Sequence, residues 1–161
     1  MRVGGAEMIP ICRGKTELNP AKWICGCLVF DPDDMGPIGI IQWSEDAHPL
    51  DIPYMCDGCV DGNLPGVIRK TIGMYTGVDD AAGMRIYEGD IVEPRLVIGP
   101  HAGYDFGKKK VEFRRGAFVL VDYIGREFVA LNGLNSAVEL RVCGNIHDNP
   151  ELLEAQHAET D

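Results

Sequence analysis

The sequence predicts a mainly β protein, with a small barrel in its C-terminal part, a β extension before it and a short helical tail after it. Three observations carry that prediction. Val, Ile, Phe, Tyr and Trp fall in short runs, and no apolar stripe of helical period has any length. Twenty glycines and ten prolines punctuate a chain of 161 residues. Between Val67 and Asn149 the apolar runs recur at short intervals, each bounded by Gly or Asn. That is the spacing of a small all-β unit, and closure would cover its strand edges.

Residues 1–66 form the extension. Its first strand candidate is Trp23 to Phe30, "WICGCLVF", and a second is Gly39 to Trp43. From Asp31 to Asp61 there are eight carboxylates and no Lys or Arg, with Pro32, Pro37, Pro49 and Pro53 interrupting, so this stretch reads as a loop-rich acidic excursion. Residues 67–149 hold the barrel. Thr76-Gly77 ends one element, and Val78 to Gly83 is a turn in which Asp carboxylates accept backbone N–H groups. Ile86 and Tyr87 lead into Glu88-Gly89-Asp90, a turn that feeds Ile91 and Val92 into a strand. Val111 to Tyr123 reads as a hairpin turning at Arg115-Gly116, and Asn132-Gly133 marks a turn before the strand that ends at Cys143. Four or five strands are expected in this region. The tail, 150–161, begins with Pro150 in a first-turn position, so Glu151 to Ala155 is expected to make one or two helical turns.

These blocks carry a resemblance. "IGMYTGVDDAAGMRIYEGDIV", a basic-apolar hairpin and a closing "VCGNIHDNPELL" resemble the YopX family of phage and prophage proteins, and "RGKTELNPAKWICGCLVF" is similar to the opening of its members. The resemblance implies an SH3-type barrel or roll in the C-terminal part and makes Arg13-Gly14-Lys15 the start of the first strand. It marks Tyr75, Gly77, Tyr87, Glu88, Gly89, Asp90, Gly144 and Asn145 as motif positions, read here as structural, and it brings no biochemical activity with it. Met74, Cys143 and His147 depart from the family pattern, as do Cys25 and Cys27.

The composition narrows the function. Fifteen basic against 25 acidic residues give a net charge of −10, which repels nucleic-acid backbones and anionic membranes. No run reaches membrane-span length, and Met1 to Pro10 lacks a signal-type apolar run, so a protein of the host-cell cytoplasm is expected. The six cysteines are then free thiols. Cys56 and Cys59 have a zinc-knuckle spacing, but Cys25 and Cys27 do not, and strand positions explain the latter pair better. Gly14-Lys15-Thr16 lacks the earlier Gly of a phosphate loop, since Ile9 stands there. Ser44 and Ser136 sit in no nucleophile elbow, and a Cys143/His147 pair reads as a strand end.

No cofactor and no catalytic or metal residue is assigned. The candidate interaction residues are Lys108, Lys109, Lys110, Arg114 and Arg115, flanked by Phe106 and Phe113. The expected function is an accessory interaction module, non-enzymatic, that associates with itself or with a host or phage protein. One subunit's positive hairpin would meet another's acidic excursion. Two rivals stand beside it. One is a metal-dependent enzyme using Glu88 and Asp90 or the cysteines. The other is an acidic decoy of a host nucleic-acid-binding protein.

Overall fold

Ten strands, two single-turn 3-10 helices and one short α-helix are found in the computed structural model, which describes residues 11–17, 19–30, 37–42 and 67–154. The chain divides into two compact units, Met1–Met74 and Tyr75–Asp161. The strands form two antiparallel five-stranded sheets, with orders β3-β2-β1-β4-β5 and β10-β6-β7-β8-β9. No described helix is long and apolar enough to cross a membrane.

In the first unit, β1 (Cys12–Lys15) pairs with β2 (Trp23–Phe30), which pairs with β3 (Pro37–Gln42). Alternation along β2 sends Ile24 inward, where it meets Ile40 and Val67, and turns Cys25 outward. A Cβ on Gly14 would stand 3.4 Å from both Ile40 Cδ1 and Ile72 Cγ1, so the strand lies close against this core. The chain re-enters at Val67, which bridges Thr16, and a 3-10 turn at Arg69–Thr71 follows. Thr71 ties that turn to β1 by accepting from Lys15 N at 2.9 Å.

β4 (Gly73–Asp79) runs through the division: Gly73 and Met74 pair with β1, while Tyr75 and Asp79 pair with β5 (Arg85–Tyr87). The second sheet has β6 (Asp90–Leu96) between β10 (Val138–Asn145) and β7 (Lys109–Arg114), followed by β8 (Ala117–Val121) and β9 (Glu127–Ala130). Its core is Ile86, Val92, Val111, Leu120, Leu131 and Leu140, all 5% exposed or less. Each such side chain contributes about 2 kcal/mol of burial. Pro94 can sit within β6 because β7 pairs only at Ile91 and Val92. Beyond them the loop takes over, Phe106 N donating to Pro94 O at 3.0 Å.

The β7–β8 hairpin turns where expected. Arg115 (φ 51°) and Gly116 (φ 84°) both take positive φ, as a two-residue turn matched to strand twist requires. Glu151–Glu154 forms the expected helix, α1. Two expectations need correction. Seven strands, β4 to β10, fall within Val67–Asn149 where four or five were expected. No closed barrel is detected among the described residues, since β9 and β10 stand at opposite ends of their sheet. The chain between them bends through a 3-10 turn at Leu131–Gly133 and an Asn135 turn, in which Ala137 N donates to Asn135 Oδ1 at 2.9 Å. The outer side of β10 is met instead by a loop, Ala81 N donating to Leu140 O at 2.9 Å.

Candidate functional site

The Glu88-Gly89-Asp90 turn is a clip. Asp90, 1% exposed, accepts from Tyr87 N at 2.8 Å. Gly89 (φ 83°) donates to Val111 O and accepts from Ile146 N, both at 2.9 Å, so it joins β7 to the end of β10. Glu88 accepts weakly from Phe113 N at 3.4 Å. The two carboxylates thus serve separate backbone donors instead of facing one substrate. No group of three or more His, Cys, Asp or Glu suited to a metal is found among the described residues.

Asp80 does the same work from the preceding turn. One oxygen accepts from Ala82 N (2.8 Å) and Met84 N (2.9 Å), and the other from Val142 N (3.1 Å). Burial pushes its pKa up, but these three donors and nearby Arg141 outweigh burial and hold it below the usual aspartate range. Asp80 therefore stays ionised as a fixed acceptor. The Asx-type turn is legible in the sequence, whereas the reach to Val142 is not.

Tyr75 and Tyr87 meet at a ring separation of 5.7 Å. The Tyr75 hydroxyl donates to Asp79 Oδ1 at 2.7 Å, and burial together with that bond raises its pKa. The Arg85 guanidinium lies 5.6 Å from the Tyr75 ring. Gly77, at φ 82°, sits in a bulge where four steps of β4 oppose two of β5. Thr76 Oγ1 repairs that ladder by donating to Ile86 O at 2.9 Å.

At the chain end, Gly144 allows close approach: a Cβ there would lie 2.5 Å from Asn149 Oδ1. Asn145 Oδ1 accepts from His147 N and Asp148 N at 2.9 and 3.0 Å, starting the turn that leads to α1. Cys143 is exposed, and partial burial of its sulfur with Glu93 nearby raises its thiol pKa. That is the wrong direction for a nucleophile. Cys56 and Cys59 lie outside the described residues, as does the acidic excursion apart from β3.

The basic cluster is split by the strand. Lys109, 7% exposed, shares the core face with Val111, and its ammonium donates to the carbonyls of Phe106 and Gly107. Burial lowers its pKa, against the pull of Asp122 and Asp105. Lys110 and Arg114 point the other way and both pair with Glu112, Arg114 Nε lying 2.7 Å from Glu112 Oε2. Burial raises the Glu112 pKa, but the two cations more than reverse this. Lys108 is half-buried and itself engaged, which leaves Arg115 exposed at the turn. The five cations do not form one positive patch.

Two further features were not anticipated from sequence. Tyr104, Phe106 and Phe128 form an aromatic ladder with ring separations of 5.1 and 5.3 Å, and Tyr104 and Phe128 are 61% and 44% exposed. A groove of about 350 Å³ lies between the Val78–Ala81 segment and the Leu131–Leu140 segment. Neither has a local signal, because each joins residues far apart in the chain.

These features define a two-sheet, mainly β protein whose acidic and glycine-rich motifs build turns. The family model described as YopX protein matches residues 43–154, and the chain belongs to that family. The match begins after β3, so the "RGK" block lies outside it. The chain is similar to the crystal structure of protein EF1440 from Enterococcus faecalis, at 24% identity and a TM-score of 0.50. That likeness covers 89% of this chain and 96% of the other, and it concerns the fold alone. No curated protein matches the sequence.

Proposed function

We propose that this YopX family member is a phage- or prophage-encoded accessory module of the host cytoplasm, non-enzymatic and self-associating. Its second unit takes the part of an SH3-type roll, left open on one side. One observation carries the reading: the buried carboxylates of the motif turns, Asp80 and Asp90, are committed to backbone donors, while large apolar side chains such as Tyr104 and Phe113 face outward. Groups engaged in this way support a frame, and exposed aromatics support contact with another protein.

Native mass spectrometry of chelator-free full-length protein tests the proposal. The expected result is a metal-free species heavier than one chain. A single-chain mass at every concentration removes the self-association. One tightly held metal per chain removes the non-enzymatic reading and restores the metal-enzyme rival.

A further inference from the structure

We infer that the tip of the β7–β8 hairpin of one copy docks, head to tail, into the groove beside Asp79 and Glu139 of a second copy. The inference rests on the self-association proposed above and names the surfaces that carry it.

The groove comes first. Its floor is apolar, with Val78, Leu134 and Val138 beside Leu131 and Leu140 of the core. Among the described residues, the only charged side chains on its wall are the carboxylates of Asp79, Asp80 and Glu139. Arg85 and Arg141 act on the two aspartates but line no part of the wall. Asp80 contributes field alone, since backbone donors occupy it, whereas Asp79 and Glu139 are exposed at the rim. At about 350 Å³ the groove is near the lower end of ligand sites and admits one or two side chains. An aliphatic stem carrying a cation fits this combination of floor and rim.

The hairpin supplies such a group. Arg115 is exposed at the turn and makes no ion pair among the described residues, while Lys109, Lys110 and Arg114 are held by their own unit. Two residues away, Phe113 is 45% exposed and adds apolar surface at the same tip. The Arg115 stem would lie on Val78 and Leu134, with its guanidinium between Asp79 and Glu139. Because tip and groove are different surfaces, each copy offers one of each, and the assembly is a ring or an open chain.

Wild type and tip and groove variants, all full-length, test this by sedimentation velocity, with circular dichroism as a check of folding. The tip variant is Arg115→Asp, chosen because Asp tolerates positive φ, with Arg115→Asn as its neutral counterpart. The groove variant is Asp79→Asn with Glu139→Lys, where Asn keeps an acceptor for Tyr75; Glu139→Lys alone is the milder form. Wild type is expected to assemble, each variant to sediment as a single chain, and the mixed variants to stop at a dimer. Mixing leaves one intact tip and one intact groove, so nothing longer can form. If both variants assemble as wild type does, or their mixture gives no dimer, the tip–groove contact is wrong and self-association still stands. A wild type that never assembles overturns both readings.

Discussion

The acidic turns from Asp79 to Asp90 and the basic hairpin around β7 handle charge in opposite ways. In the turns Asp80 and Asp90 point inward, accepting backbone N–H groups that would otherwise be buried without partners. In the hairpin the charges cancel along the strand surface, Lys110 and Arg114 flanking Glu112. A charge that satisfies buried backbone belongs to the fold, and a charge balanced in water belongs to the surface. The contrast separates residues whose loss costs stability from residues free to meet a partner.

The sharpest way to break this contrast is Asp90→Ala. It leaves Tyr87 N–H buried with no acceptor and is expected to cost about 3 kcal/mol, read as a lower urea midpoint. A loss within experimental error would place Asp90 with the surface charges. Asp80→Asn follows at about 1.5 kcal/mol, because an amide N–H₂ then opposes one of the donors. Asp80 has a folded pKa below its unfolded value, so its stabilisation is present above about pH 4 and is lost as pH falls through the folded value. The variant's stability should therefore fall less steeply in acid than wild type's, and parallel acid limbs would contradict the assignment.

Glu112→Gln tests the other side of the contrast. Its side chain is 28% exposed, so a change within about 0.5 kcal/mol is expected, shrinking further in high salt. A salt-independent loss would show that the Lys110–Glu112–Arg114 row also holds the sheet together. Smallest of all is Arg115→Asn on a single chain. It relieves a non-glycine residue at φ 51° and should leave the thermal midpoint unchanged or slightly higher. Marked destabilisation would give the Arg115 side chain a structural role and weaken its part in docking.

Much of this frame was legible where the signal is local. Trp23–Phe30 is the strand expected from its β-branched and aromatic content, and Arg115-Gly116 is the turn expected between two alternating runs. Pro150 does introduce a helix, through Glu154. From sequence, β4 is expected to end at Thr76-Gly77, short of Asp79, because Gly77 lowers strand propensity; it serves a bulge whose partner, β5, has only three residues. Closure was expected from strand spacing, the need to cover sheet edges and the family resemblance, but none of these says that Asn135 would turn the chain aside. The basic cluster shows a different limit. Strict alternation puts Lys109 with Val111 and Lys110 with Glu112, so the split was readable by period, while counting cations joined what the pleat separates. The groove and the aromatic ladder could not be read at all, since Val78 and Leu134, or Phe106 and Phe128, meet only after the sheet has formed.

The bond from Val142 N to Asp80 spans 62 residues. It fixes a moment in synthesis as well as a place in space. Until β10 has left the ribosome, the Asp80 turn lacks one of its three donors, and the Gly89 clip lacks Ile146. A nascent chain stopped short of residue 142 thus holds β4 and β5 without their final ties, and loop closure over that length slows the step that completes them. The two acidic turns are made early and fastened late, so the second unit becomes whole only as β10 and Ile146 emerge.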